Sequence, residues 1–92
     1  MDITRTENDH KGQFVATIDG QQAGLMTYTW AGDDRIIIDH TETDKAFGGK
    51  GVGKRLVLEG AEFARQKNIK VIPLCPFAKS VFDRNKEIQD VL

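Results

Sequence analysis

Polar and apolar residues change their spacing along this chain, running first with a period of two and later with the period of a helix. Gln13-Phe14-Val15-Ala16-Thr17-Ile18-Asp19 alternates and stops at Asp19-Gly20, a strong hairpin signal. Gln22 to Trp30 reads as the next strand, and Ala31-Gly32-Asp33-Asp34 turns the chain again. Arg35-Ile36-Ile37-Ile38 then opens a β-branched run that reaches Thr43, which predicts a central strand covered on both faces. Residues 13–43 therefore read as an antiparallel meander.

Beyond it, Val52, Leu56, Gly60, Phe63 and Ala64 recur at helical spacing, and Asn68 offers a left-handed stop. A glycine inside a helix costs about 1 kcal/mol relative to alanine, so Gly60, with Ala61 and Ala64 beside it, predicts a helix lying close against the sheet. Lys70 to Cys75 reads as a second buried strand ended by Pro76. A strand-helix-strand crossover of this length is parallel and right-handed. Ala78 to Arg84 and Lys86 to Leu92 complete the chain as short helical pieces. The sum is one mixed α+β domain over residues 1–92, a meander followed by a βαβ crossover, with no repeat and no linker.

Between meander and helix lies Gly48-Gly49-Lys50-Gly51-Val52-Gly53-Lys54-Arg55, with four of the chain's nine glycines. Backbone without Cβ atoms approaches a ligand closely, and the start of the following helix adds unpaired N–H groups and partial positive charge. A phosphate or pyrophosphate is the matching guest. The segment begins like a nucleoside-triphosphate loop, but Arg55 stands where a Ser or Thr hydroxyl holds magnesium. A dinucleotide fingerprint fits no better, because the glycine order differs and the strand Val71-Ile72-Pro73-Leu74-Cys75 ends without a carboxylate.

Charge narrows the partners. With 13 basic and 14 acidic residues the formal charge is −1, which gives no general attraction to nucleic acid or to an anionic membrane. The local cluster Lys50, Lys54 and Arg55 adjoins the glycine loop and suits a small polyanion, although a solvated basic helix start reads equally well. A single cysteine excludes an internal disulfide, and His10, His40 and Cys75 stand at no zinc-like spacing, so no metal is expected. The start has no apolar leader core and no apolar run is long enough to span a bilayer. A cytoplasmic protein is the expectation.

The spacing Gly48-x-x-Gly51-x-Gly53 resembles the R/Q-x-x-G-x-G/A pyrophosphate loop of the GNAT superfamily of CoA-dependent N-acetyltransferases, with glycine in place of the usual Arg or Gln at position 48. The likeness extends in order through His40-Thr41-Glu42-Thr43, the loop itself, and Val71-Ile72-Pro73-Leu74-Cys75-Pro76-Phe77. Together these are similar to the minimal GNAT-like N-acetyltransferases, whose chains are this short, over roughly residues 13–90. The resemblance implies a GNAT-like fold in which the strand before the loop and the strand after the crossover helix splay apart and hold acetyl-CoA as cosubstrate in the wedge. It implies that the backbone of His40, Thr41, Glu42 and Thr43 faces the pantetheine arm. It also implies that the N–H groups of Gly48, Gly49, Lys50, Gly51, Val52, Gly53 and Lys54 hold the pyrophosphate.

On the same resemblance Cys75 lies near the thioester, where it would accept the acetyl group or protonate the departing CoA thiolate; a small apolar core residue is the competing reading. Phe82 occupies a region where many relatives place a tyrosine acid, and phenylalanine has no proton to give. Glu42 or His40 would deprotonate an ammonium acceptor, or else serve as ordinary polar groups at a strand end. Phe77 shapes the wall. Asn85 hydrogen-bonds the pantetheine or the chain itself. The implied activity is acetyl transfer to a primary amine of unknown identity, and the alternative is a CoA-binding module without turnover. The early helices that build the acceptor site in longer relatives are missing from this sequence.

Overall fold

A computed structural model describes residues 1–92. Asp19 and Gly20, with φ of 51° and 80°, close the first expected hairpin, both in the left-handed region that a two-residue strand connection requires. They join β2 (Lys11–Ile18) to β3 (Gln21–Trp30), which pairs antiparallel with β4 (Arg35–Thr43). Ahead of them runs β1 (Asp2–Asn8), an edge strand absent from the sequence reading. All but one of its residues are exposed, so it carries no alternating apolar signal. It turns into β2 through Asp9, whose φ is 57°.

Helix α1 (Val52–Lys67) and β5 (Lys70–Pro73) complete a sheet in the order β1-β2-β3-β4-β5, with β5 parallel to β4. Asn68 ends α1 in the left-handed conformation, its N–H directed to Ala64 and Arg65 carbonyls. A Cβ on Gly60 would stand 2.8 Å from the Met26 methyl, so the glycine permits the close approach its position in the helix implied. The inner row of the sheet, Phe14, Ala16, Met26, Tyr28, Ile36 and Ile38, packs on Val52, Leu56, Val57, Ala61 and Ala64. Phe63 closes one end, with ring centroids 5.8 and 5.9 Å from Phe14 and Tyr28.

Two expectations need correction. β4 is not covered on both faces: the helices pack on one side, and Ile37 between buried Ile36 and Ile38 is left half-exposed. The strand expected over 70–75 stops at Pro73, because the Leu74 N–H turns back to Ile72 O, and Pro76 begins α2 (Pro76–Arg84) rather than ending the strand. Proline at a first helical position loses no hydrogen bond, since that N–H has no partner within the helix. A 3-10 helix over Lys86–Val91 then tucks Ile88 and Val91 into the core, secured by Arg65 to Asp90 at 2.8 Å.

Candidate active site

β4 and β5 pair only from Arg35–Lys70 to Ile38–Pro73. The last link is the Cys75 N–H to Ile38 O at 3.1 Å. Beyond it β4 continues from Asp39 to Thr43 with no neighbour on that side. Asp44 donates its amide to Ala23 O on β3, so by strand alternation the backbone groups of Glu42 and His40 also turn to β3 while those of Thr43 and Thr41 turn to the open side. Of the four residues expected to face the pantetheine through their backbone, two therefore present free edge groups and two present side chains only.

Register also sorts those side chains. Thr41 pairs with Met26 and Thr43 with Gly24, both on the helix side, whereas His40 pairs with Thr27 and Glu42 with Leu25 on the helix-free side. Thr41 Oγ1 meets Cys75 Sγ at 3.8 Å, and His40 Nε2 meets Glu42 Oε2 at 3.1 Å. The open splay thus has a hydroxyl and a thiol on one face and an exposed imidazole-carboxylate pair on the other.

The glycine loop sits below the helix-side pair. Asp44 caps a short 3-10 turn over Lys45–Phe47 by accepting from the Ala46 amide at 2.9 Å, and the Gly48 N–H is taken by Lys45 O. Gly48 is therefore not among the free donors, contrary to the expectation for it. From Gly49 to Lys54, however, none of the backbone amides meets an acceptor, and the first helical bond is Arg55 N–H to Gly51 O. Gly49 and Gly51 reach this arrangement with φ of 81° and 73°. Gly53 is required for a different reason: a Cβ there would lie 2.8 Å from the Phe77 ring. Lys50 and Lys54 are exposed at the loop and make no ion pair, while Arg55 turns to Glu59 at 3.7 Å. A row of unpaired donors beside two lysines is the arrangement that anion-binding loops use.

Cys75 is 7 % exposed and precedes α2 as its cap. Burial, the strongest single influence, works against its thiolate, yet the Ala78 amide, the Thr41 hydroxyl and the Phe77 amide together outweigh it and hold the pKa below the ordinary thiol value. Phe77 is partly exposed with Leu74 at the mouth of the splay. Asn85 directs its side-chain amide to Val81 O at 2.7 Å, closing α2 rather than reaching the splay. Phe82 is fully buried. His10 is an exposed turn residue far along the sheet, its carbonyl accepting the Trp30 amide. No three His, Cys, Asp or Glu side chains converge as metal ligands.

The sequence reading passed over two contributors. Gly24 lets the start of α1 rest on β4, since a Cβ would stand 2.7 Å from Glu42 O and 2.8 Å from Val52 Cγ1. The Thr41 side chain was read only for its backbone, although its alternation with His40 already places the two on opposite faces.

A splayed β4–β5 pair above a glycine-rich helix start defines an acyl-CoA-type transferase fold. A family model for GCN5-related N-acetyltransferases matches residues 13–91, and the chain belongs to that family. The protein NATD1 of Xenopus tropicalis is 26 % identical over 83 residues, spanning 88 % of this chain and 76 % of the frog protein. The NMR solution structure of a GCN5-like protein from Staphylococcus aureus is 32 % identical, covers 98 % of this chain and 85 % of its own, and superposes with a TM-score of 0.70. The aminoglycoside N-acetyltransferase AAC(6')-Iy, solved in complex with CoA, shares the fold at a TM-score of 0.64 and 16 % identity, over 90 % of this chain and 88 % of its own.

Proposed function

We propose that this protein binds acetyl-CoA through the Gly49–Lys54 amides and transfers the acetyl group to a primary amine. The observation that carries the reading is the run of unpaired amides opening directly beneath a splayed, half-free β4. A pyrophosphate would accept from the loop, Lys50 and Lys54 would pair with it at the rim, and the pantetheine would pair with the free edge groups of Thr41 and Thr43. Phe77 and Leu74 offer the apolar wall. The aminoglycoside enzyme, alike in fold alone, was solved in complex with CoA, which supports CoA as a ligand for a fold of this kind.

The chemistry divides across β4. An amine arriving on the helix-free side gives its surplus proton to Glu42, directly or through His40, and its lone pair attacks the thioester carbonyl carbon. Negative charge collecting on the carbonyl oxygen is met by an edge N–H of β4. The adduct nitrogen gives its remaining surplus proton to water, the C–S bond breaks, and the CoA sulfur leaves with the bonding pair. Cys75 donates a proton to it; because its pKa is held below that of an ordinary thiol, transfer to a CoA thiolate of ordinary basicity runs downhill. The same thiolate stabilisation favours a second reading, in which the Cys75 sulfur takes the acetyl group before the amine does.

Parallel NMR titrations with acetyl-CoA, CoA and Mg-ATP test the binding step. Amide shifts concentrated at 49–54 and 41–43 with both CoA species are expected. Tight Mg-ATP binding without a CoA response overturns the reading, and CoA binding with no acetyl transfer to any amine leaves a binding module.

A further inference from the structure

The helix-free face of the sheet is not featureless. It contains a trough of about 530 Å³ over β1, β2 and β3 that ends at Asp39. Register lays its floor out in rows: Thr6, Gln13 and Thr27 stand side by side across the three strands, and Asn8, Lys11 and Thr29 form the next row. The first row continues onto β4, because Thr27 pairs directly with His40. Side chains so paired lie about 5 Å apart at Cβ. Thr29 Oγ1 donates to Asp39 Oδ2 at 2.6 Å, which holds that carboxylate at the end of the second row beside His40.

We infer that this trough is the acceptor site and that it takes a small, strongly hydrophilic primary amine of the amino-sugar type, a proposal that rests on the acetyl-transfer reading above. Its lining carries hydroxyls, carboxamides, one lysine and two carboxylates, Glu7 and Asp39; Tyr28 is the one apolar residue, and its hydroxyl is committed to Glu7, which leaves Asp39 as the carboxylate open to a ligand. An alkyl or aryl amine would strip water from these groups and return no hydrogen bonds, whereas a polyhydroxylated body exchanges each bond with water for one with the protein. Asp39 meets the ammonium group at the end nearest His40 and Glu42, so the amine waits beside the groups that remove its proton. The volume falls within the ordinary range for small-molecule sites.

The test uses the full chain, labelled with nitrogen-15, titrated with D-glucosamine and separately with hexylamine, and in a third arm with CoA. Glucosamine is expected to shift the amides of Gln13, Thr27, Thr29 and Asp39, and hexylamine to leave them in place. Thr27→Val keeps the β-branched shape and removes one hydroxyl; it should raise the half-saturating glucosamine concentration about fivefold and leave that for CoA unchanged. Equal response to both amines, no response to glucosamine, or a Thr27→Val curve identical to the parent overturns the trough assignment. A CoA response at 49–54 in those cases leaves the acetyl-transfer reading standing, and a glucosamine response at the trough without any CoA response sinks that reading while keeping the trough.

Discussion

Cys75 Sγ and Thr41 Oγ1 stand 3.8 Å apart across the gap that opens once β4 and β5 stop pairing. The contact joins β4 to the cap of α2 just past the last backbone link between them, and it ties the one thiol of the chain to the free edge of the sheet. It also makes the thiol's acidity a property of the splay, because Thr41 shares with the Ala78 and Phe77 amides the task of holding a thiolate against burial.

Replacing Cys75 by alanine should therefore lower kcat about a hundredfold while acetyl-CoA affinity stays within a few-fold, since a proton delivered only as the C–S bond breaks contributes nothing to ground-state binding. The parent should show an alkaline limb in kcat: the acid is needed protonated, so the rate falls as pH rises through the Cys75 pKa. That pKa lies below the usual thiol value, so the limb should come at lower pH than a free thiol would give, and it should vanish in Cys75→Ala. An acetyl adduct on Cys75, read by intact mass after incubation with acetyl-CoA, would select the two-step route. Full activity in the alanine variant returns the cysteine to the core.

Glu42 faces the other side of β4 beside His40. Glu42→Gln should lower the rate near neutral pH, where the amine arrives as ammonium, and recover toward the parent at alkaline pH, where the amine is already free. A constant deficit across the pH range would mean that Glu42 positions the acceptor and takes no proton.

The meander, the crossover helix and the glycine loop were all legible because each carries a local signal: alternation, helical spacing, or residues that tolerate positive φ. β1 was not, because its inner positions are Ile3, Arg5 and Glu7, and the last two earn their places by tertiary contacts. Arg5 lies over the Phe63 ring at 4.4 Å and Glu7 accepts from Tyr28 and Trp30. Such partners lie more than twenty residues away and leave no trace in local pattern. The both-faces reading of Ile36-Ile37-Ile38 failed for a related reason: a β-branched run announces a strand, but only the helix count says how many of its faces are covered. Of the site, the loop could be read directly, and alternation alone divides His40 and Glu42 from Thr41; which of the two sets faces the helices and Cys75 depends on the β-bulge near Thr27 and Tyr28 that sets the register.

The glycines of the loop should separate by role. Gly51→Val forces a branched side chain into φ of 73°, and Gly53→Val drives it into the Phe77 ring, so each should weaken CoA binding at least tenfold, about 1.4 kcal/mol. Gly48 is different: its φ is −60° and a Cβ there meets only Lys45 O at an ordinary 3.5 Å. Gly48→Arg, which restores the residue usual in the family, should leave the melting temperature unchanged and tighten CoA binding a few-fold. Isothermal titration of the three variants checks the order, and a tolerated Gly53→Val would place the pyrophosphate elsewhere.

Glu7 offers a test of stability that is independent of the site. Its Oε1 accepts from Tyr28 Oη at 2.7 Å, Trp30 Nε1 at 2.8 Å and Arg5 Nη1 at 3.1 Å. The Trp30 and Tyr28 hydrogen bonds, with the Arg5 charge, hold its pKa below the ordinary carboxylate value against a smaller opposing effect of burial. A folded-state pKa below the unfolded one means that the carboxylate stabilises the fold at neutral pH. That contribution is lost as pH falls from about 4.3, the unfolded value, through the lower folded value. Glu7→Gln keeps the shape and removes the charge; with Glu7 about one-third exposed, the loss should be about 1 kcal/mol, or about 4–8 °C in a domain of this size. The difference between parent and variant should shrink as pH drops from 5 toward 3, because the parent's Glu7 then takes up its own proton. Asp90, held low by Arg65, remains in both and keeps part of the acid limb. Melting curves of the two proteins from pH 7 to pH 3 decide the matter: a gap that stays constant with pH would mean that Glu7 acts through shape alone and that β1 is held by its backbone ladder.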